Sequence, residues 1–589
     1  MNEKEKIMKK TILYYLLPYA FYLMPFLGYA QSFQWIKDGG SAENLGSNDY
    51  EQVYSIATDS QKNVYILSKV GMSNLNVDGN PKTNYDNPSS FPTDIVLASF
   101  TCDGTYRWSK IIGGSGKENI SAVQVDSQDN VYVAGKMGTC NDGSVSQPYP
   151  GRIENDYTFP NSTTACDRIF LAKFDTNGVF QYIKRPQLPT TSSNAITYTG
   201  SFNFQIQDDI LYWFVWLPPG TYADGAFTNS TSETHAPYVL KYNLDGSFIE
   251  ATQLGNIQGL FDVVVKYYRN PHNGFYYMTF AKTSSTTFAI NGQPVVNAAA
   301  LVCYDNNGNL LWKKENDNNN ANYMKFFGLD FDSQNNIYIA GSMVGMNLNS
   351  FIGYSIAILN TPAFVMKVDP TADNLLWASH HDSVGTNGNG ALVYNGNEIA
   401  YTGWCAGTNY TWGSQSIYVT ATNEGQDVLL ARFDSTTGSC LSLNNIPSTV
   451  GSTDYGAVIT VDASGDYLVG GGFAALIYDT NGNSVTNEGG TTDFFIAKFA
   501  TEPCSPLSNE TFETNTIKVY PNPARNVLTV AINENANYEL YTITGQLVKQ
   551  GKLTTIDNTI AVQDLSKGYY LLRIGNENGN WQSIKVLKE

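Results

Sequence analysis

From residue 53 to residue 500 the chain alternates apolar and polar positions in short runs, each closed by a cluster of Asp, Asn, Ser and Gly. Period-two alternation punctuated by turn formers marks half-buried strands rather than amphipathic helices. One run recurs almost letter for letter: DSQKNVYI at Asp59–Ile66, DSQDNVYVAG at Asp126–Gly135 and DSQNNIYIAG at Asp332–Gly341. Weaker copies centre on Tyr212, Tyr277, Tyr401 and Tyr467. Each copy is followed by a more apolar run, such as DIVLASF (Asp94–Phe100), IFLAKF (Ile169–Phe174) or FFIAKF (Phe494–Phe499). Past a tight turn there often follows an aromatic strand, holding Trp108, Tyr182, Trp312 or Trp377. Seven units of four antiparallel strands are therefore predicted; in the second they are Ala122–Asp126, Asn130–Gly135, Arg168–Phe174 and Val179–Lys184. A period of about 65 residues with four strands per unit describes propeller blades.

The seventh unit lacks its fourth strand after Phe499, whereas FQWIK at Phe33–Lys37 nearly duplicates FQYIK at Phe180–Lys184. An N-terminal strand carrying Phe33 and Trp35 would complete the last blade and close the ring, removing the two sheet edges that an open array exposes. The predicted fold class is all-β: a seven-bladed β-propeller over residues 31–500, a linker over 501–515, and a small C-terminal β-sandwich over 516–589. The Trp108 strand, the Gly113-Gly114 loop and the DSQDNVYVAG strand together resemble the seven-bladed propellers of SBBP-type repeats, over residues 33 to 499. Units three and four depart from that pattern, reading NFQIQDD at Asn203–Asp209 and KYYRNPH at Lys266–His272.

At the N-terminus Lys4, Lys6, Lys9 and Lys10 precede an apolar run, Ile12 to Leu27, and the small-residue end Gly28-Tyr29-Ala30. This is the layout of a secretory signal peptide over residues 1–30, with cleavage after Ala30. The run is short for a membrane anchor and is interrupted by Pro18 and Pro25. No later stretch is long and apolar enough to span a bilayer, so the mature chain is expected to carry no transmembrane segment. Export brings the seven cysteines into an oxidising compartment, and an odd count leaves at least one unpaired. Cys140 and Cys166 bracket one loop and form the expected bridge. The absence of CxxC removes zinc-ribbon and thioredoxin spacings.

The C-terminal segment changes pattern, with strands expected at Leu528–Ile532, Tyr538–Ile543, Tyr569–Ile574 and Ser583–Leu587. It contains VYPNP (Val519–Pro523), YTITGQLV (Tyr541–Val548), LSKGYYLLR (Leu565–Arg573) and KVLK (Lys585–Lys588). Together these resemble the C-terminal sorting domain of type IX secretion cargo from Bacteroidetes-type bacteria. Pro521, Asn522, Pro523, Gly545, Gly568, Arg573 and Lys585 carry the sorting signal; Thr542 stands where an acidic neighbour is expected. The resemblance implies passage across the outer membrane, partnership with the type IX secretion machinery and its sortase, removal of the module, and release or lipid-linked attachment at the cell surface.

Only 15% of residues are charged and 13% are aromatic, a balance foreign to acidic disordered chains and coiled coils. The net charge of −18 is unevenly placed, because the leader and the C-terminal module carry +2 each and leave −22 on the middle. Nucleic acid is therefore not an expected partner, since phosphate contacts need Lys and Arg. Four histidines leave little room for histidine-based metal sites, and no metal or cofactor is predicted.

Strand direction sorts the loops onto two faces. One carries tight turns in which Asp126, Asp175, Asp305, Asp332 and Asp434 bond their own backbone. Calcium is the alternative use of those carboxylates, but the EF-hand spacing is absent. The other face carries long loops near 70–93, 136–167, 217–236, 282–298, 343–362, 404–426 and 471–492, where binding residues concentrate on rigid scaffolds. Their aromatics Tyr149, Tyr157, Tyr222, Trp404, Tyr410, Trp412 and Tyr418, with Phe159, are the candidates for stacking on sugar; hydrophobic packing is the competing use. His380-His381-Asp382 is the one acid–base cluster, although extended backbone points adjacent histidines apart. No HExxH, GxSxG or Walker motif occurs, and the Gly-Gly pairs at 39–40, 113–114 and 489–490 have no helix behind them to cradle phosphate. The expected function is non-catalytic binding of a glycan or a surface protein. The alternative is an extracellular carbohydrate-active hydrolase or lyase whose paired carboxylates are set by the fold.

Overall fold

The computed structural model describes residues 31–589 apart from 44, 46–49, 86–92, 115–117, 138–150, 160–167, 187–199, 232–235, 260–262, 285–287, 359, 383–389, 408, 420–424, 450, 505–517, 533–534, 543–544 and 576–580. The chain divides into two compact units, one ending at Cys504 and the other beginning at Ser505. Among the described residues the only helical element is a single 3₁₀ turn, Ala223–Gly225.

The first unit is a succession of antiparallel sheets, seven among the described residues, five of four strands and two whose four strands are extended to six by a short ribbon. Sheet one comprises Val53–Thr58, Val64–Val70, Asp94–Phe100 and Tyr106–Gly113; sheet two comprises Asn119–Val125, Val131–Met137, Arg168–Phe174 and Phe180–Lys184. Sheets three to six repeat this order, and their second strands hold Tyr212, Tyr277, Tyr338 and Tyr401. The first strands of sheets one to four pack side by side, as do those of sheets five to seven. Met324–Phe331 of sheet five lies against Tyr276–Lys282 of sheet four, and Tyr455–Val461 of sheet seven against Val53–Thr58 of sheet one. Middle strands are thus covered on both faces, so Val64–Val70 and Asp94–Phe100 are buried at every position. This gives the all-β, propeller-like architecture its core between sheets rather than within one.

Sheet seven contains Tyr455–Val461, Tyr467–Phe473 and Asp493–Ala500, and its fourth strand is Ser32–Gly40. Phe33 pairs with Phe499 and Gly39 with Phe494. Phe33 and Trp35 are buried, and Phe33 meets Phe499 edge to face at 5.1 Å. Trp35 also donates its indole N–H to the carbonyl of Cys102 at 3.0 Å. The same latch joins other neighbours: Trp108 donates to Thr176 and Trp377 to Ser435, each at 3.1 Å. Gly104, Gly178 and Gly438 lie flat on those three indoles at positive φ, where a Cβ would come within 2.4–2.8 Å of the ring.

A disulfide reinforces the same seam. Cys102, in the turn of sheet one, bonds Cys504, just beyond the last strand of sheet seven, across 402 positions of sequence. The bridge expected between Cys140 and Cys166 lies outside the described residues. Cys303, Cys405 and Cys440 are free and buried.

The Asp turns form closed hydrogen-bond networks. Asp126 Oδ1 accepts the backbone N–H groups of Gln128 and Asn130, while its Oδ2 accepts from the Asn130 amide and the Tyr132 hydroxyl. Asp59 and Asp332 repeat the arrangement, and Asp175, Asp305 and Asp434 cap their turns through backbone N–H groups. Burial opposes ionisation of Asp126, but the bonds from Asn130, Gln128 and Tyr132 outweigh it and hold the carboxyl below its ordinary value. These oxygens serve the turn.

The second unit has a three-stranded sheet (Lys518–Tyr520, Val527–Ala531, Thr559–Ala561) and a four-stranded sheet (Leu547–Leu553, Ala536–Thr542, Gly568–Gly575, Trp581–Lys588). Leu528, Val530 and Ile560 of the first share one core with Leu540, Leu572, Ile574 and Val586 of the second. Three of these strands were not anticipated: Lys518–Tyr520 and Thr559–Ala561 are too short to show a period, and LVKQGKL is mostly polar.

Candidate functional site

Each long loop of the first unit folds into a short two-stranded ribbon, the seven being Asn76–Val77 with Asn80–Pro81, Arg152–Ile153 with Tyr157–Thr158, Gly220–Tyr222 with Phe227–Asn229, Phe288–Ile290 with Gln293–Val295, Ser350–Phe351 with Tyr354–Ser355, Asn409–Trp412 with Gln415–Tyr418, and Leu476–Tyr478 with Ser484–Thr486. Several reach back onto the preceding sheet. Val77 pairs with Gly39, Arg152 with Gly113 and Ile290 with Ile257, and Thr411 accepts the N–H of Asp382 at 3.0 Å.

That docking corrects the sugar-stacking expectation for most of the aromatics. Tyr222, Tyr410 and Trp412 are at most 1% exposed and Trp404 is buried as well, so no ligand reaches their faces. Within Asn409–Trp412 the alternation turns Tyr410 and Trp412 inward. Trp412 donates to Ser379 Oγ at 2.8 Å, and Tyr222 to the Pro218 carbonyl at 2.6 Å. Tyr157 is half-buried against Phe159 and Phe180. Tyr418, on the outer side of its ribbon, is 62% exposed. Tyr149 lies outside the described residues.

The inward rings instead support the histidine cluster. His380 ends the fourth strand of sheet five, Leu375–His380, and backbone alternation sends its neighbour the other way. His381 is buried between Tyr410 and Trp412, at ring distances of 5.1 and 5.7 Å. His380 shares a hydrogen bond of 2.6 Å between Nδ1 and the hydroxyl of Tyr354, a residue of the neighbouring ribbon, and its Nε2 lies 3.9 Å from Asp382. Burial lowers the pKa of His380 against the pull of Asp382, and burial together with the Asp382 charge raises that of Tyr354. Both groups are therefore uncharged at neutral pH, and which of them donates the shared hydrogen bond follows the imidazole tautomer. Such a set can bind hydroxyl groups, or relay a proton. Sequence reading singled out the histidines and missed Tyr354, which no local pattern links to them.

Carboxylates on this face form a second group. Glu51, Asp94, Asp427, Asp454 and Asp493 are at most 1% exposed and staple loop ends. Asp94 accepts the N–H of Tyr85 and of Gly114, Glu51 those of Ser41 and Gly71, and Asp454 that of Ala474. Burial, with the two carboxyls adjacent, pushes the pKa of both Glu51 and Asp493 upward. Two of the Gly-Gly pairs are seats of these groups: a Cβ on Gly113 would lie 1.7 Å from Asp94, and one on Gly40 2.2 Å from Asp493. The available signal was an Asp placed directly before the third-strand apolar run, as in TDIVLASF, QDVLLARF and TDFFIAKF.

In the second unit the motif residues fall into two groups. Asn522, between the exposed Pro521 and Pro523, clamps the last strand, donating to the Lys585 carbonyl and accepting from Leu587 N–H. Gly545 turns at positive φ between the first two strands of the larger sheet, where Thr542 Oγ1 accepts the N–H of Gln546 and so does the work expected of an acid. Gly545, Arg573 and Lys585 line one shallow cavity of about 510 Å³ with Tyr541, Thr542 and Leu571, while Gly568 lines another with Arg525 and Lys588. Residues 518–589 match the family described as the secretion system C-terminal sorting domain. The chain is type IX secretion cargo. It travels to the cell surface or beyond, and among the described residues no helix is long and apolar enough to cross a membrane.

No curated protein matches the sequence, and several solved structures resemble it at low likeness. A protein of unknown function from Dyadobacter fermentans aligns over 62% of this chain and 93% of its own at 10% identity and TM-score 0.34. An ulvan lyase aligns over 79% and 97% at 10% identity and TM-score 0.36. A β-1,3-galactosidase aligns over 53% and 96% at 9% identity and TM-score 0.25.

Proposed function

We propose that this cargo is a closed seven-bladed propeller of SBBP-type repeats that works as a non-catalytic binding module, its ribbon face meeting a glycan or a surface protein. Residues 1–30 are its signal peptide, and the sorting domain is cut away by the sortase on arrival. The closure rests on Ser32–Gly40 completing sheet seven and on the contact of that sheet with sheet one. The observation that carries the binding reading is the fate of the carboxylates: those nearest the inner strands of the ribbon face are buried in loop staples, while Tyr418, Met346 and Leu348 stand 49–62% exposed there. Exposed apolar and aromatic side chains suit stacking, and the polar groups between them suit hydroxyl bonding.

The hydrolase or lyase reading is kept by one observation, the Tyr354–His380 hydrogen bond beside Asp382. The test is a glycan array probed with the full chain, each hit then incubated and analysed by mass spectrometry. Intact hits whose binding falls in Tyr418→Ala support the module. Cleaved hits whose turnover is lost in His380→Ala would establish the enzyme instead.

A further inference from the structure

On the face of the tight turns, sheet six departs from the pattern that sheets two and five keep. In those two sheets a lysine of the third strand stands in register with a tyrosine of the second, Lys173 with Tyr132 and Lys367 with Tyr338. Each pair reaches one carbonyl in the turn between the third and fourth strands of the next sheet. Lys173 and Tyr132 donate to Leu244, and Lys367 and Tyr338 to Ser435, at 3.1–3.4 Å. In sheet six the cation is Arg432, and the residue opposite it is Ala400. Tyr401, one position on, points to the other side of its strand. The Asp turn is gone as well, because Asn395 pairs directly with Glu398 and only Gly396-Asn397 make the turn. Nor does the next sheet offer a carbonyl: the third and fourth strands of sheet seven, Asp493–Ala500 and Ser32–Gly40, come from far ends of the sequence and no turn joins them. Ring, turn and carbonyl are thus missing at one place, where a cavity of about 370 Å³ is lined by Gln31, Asn395, Asn397, Glu398, Arg432 and Tyr467.

We propose that this cavity is a binding site, separate from the ribbon face, for one neutral sugar unit held through two adjacent hydroxyls. Arg432 donates from Nε to Ser442 Oγ at 2.9 Å and from Nη1 to Gln31 and to Glu398 Oε2, the latter at 3.2 Å. Tyr467 donates to the same Oε2 at 3.1 Å. Among the described residues, Nη2 of Arg432 and Oε1 of Glu398 have no protein partner. A donor edge beside an acceptor oxygen matches hydroxyl groups, each of which both gives and accepts a hydrogen bond. The two charges offset one another, so the site holds no surplus to attract a phosphate or a uronate. All six side chains are polar, which leaves no apolar floor for a peptide side chain. The volume lies near the lower end of the roughly 300–1,000 Å³ of ligand clefts and suits one ring rather than a chain. Such a ring would stand where the neighbouring sheets place a tyrosine and a turn carbonyl of their own.

The test is saturation-transfer NMR on the full chain, with the methyl glycosides of glucose, galactose and mannose as neutral probes and methyl glucuronide as the anionic one. At least one neutral probe should bind, and its affinity should fall tenfold or more in Arg432→Lys and in Glu398→Gln while Tyr418→Ala leaves it unchanged. Arg432→Lys keeps a cation at this register, as in sheets two and five, and an unchanged Tm shows that the fold survives it. If it does not, the isosteric Glu398→Gln decides alone. Failure of every neutral probe to bind at tens of millimolar overturns the proposal, as does binding that survives both variants. Tighter binding of the glucuronide would overturn the neutral class. Binding lost only in Tyr418→Ala would assign the sugar to the ribbon face, which overturns this site and leaves the binding module standing.

Discussion

Replacing Cys504 by Ser removes the covalent bond at the seam while leaving strand Ser32–Gly40 in place. The bridge spans 402 positions. In the chain-entropy model a loop of that length lowers the entropy of the unfolded state by about 20 cal/mol/K, or about 6 kcal/mol at room temperature, although native disulfides more often contribute 2–5 kcal/mol. Unfolding entropy of about 2.1 cal/mol/K per residue gives the first unit about 1 kcal/mol/K, so the loss converts to a fall in Tm of about 2–6 °C. Calorimetry of the full chain, with and without dithiothreitol, measures it. Reductant should lower the wild-type transition at least as far as that of Cys504→Ser. A variant that melts with the wild type would refute the argument, because it would mean that the unfolded chain is no freer without the bond.

The N-terminal strand is tested by Trp35→Ala, which empties a buried indole site and breaks the bond to Cys102; a loss of about 3–5 kcal/mol is expected in denaturant titration, and deletion of residues 32–37 should cost more. Asp38 is pushed up to about 7 by burial and by the charges of Asp78 and Glu488. Its contribution to stability is complete below the unfolded value near 4 and is lost as pH rises through 7, so Asp38→Asn should flatten the decline between pH 4 and pH 7 by up to about 4 kcal/mol, read from urea midpoints. Trp412→Ala should destabilise the fold by about 3–5 kcal/mol. Tyr418→Ala should leave Tm unchanged but weaken any array ligand about fivefold, by titration, since one stacking ring contributes about 1 kcal/mol.

The repeat was legible because Asp59, Asp126 and Asp332 each anchor a turn whose residues are set by local hydrogen bonds, and local rules are what a sequence displays. The strand at Phe33–Lys37 was legible for the same reason, as a copy of a neighbour's pattern. Cys102 and Cys504 were not, because nothing local relates two residues joined only by the last contact of the fold. Tyr410 and Trp412 stayed between stacking and packing since a long loop suggests exposure, whereas a four-residue ribbon strand alternates like any other and buries every second ring. That rule did separate His380 from His381. Tyr354 reaches His380 through the seating of a ribbon on a sheet edge, and tertiary placement of that kind leaves no periodic trace.

The fourth strand of sheet seven has a temporal consequence. A chain made from its N-terminus produces Ser32–Gly40 first and its partner Asp493–Ala500 more than 450 residues later. Until then Phe33 and Trp35 have no sheet to join, and any partly made unit shows an unpaired strand at each end. Completion is therefore a single late, long-range event, the slow kind of step in a β topology. A truncated or stalled chain therefore leaves the apolar side chains of Ser32–Gly40 without their partner strand.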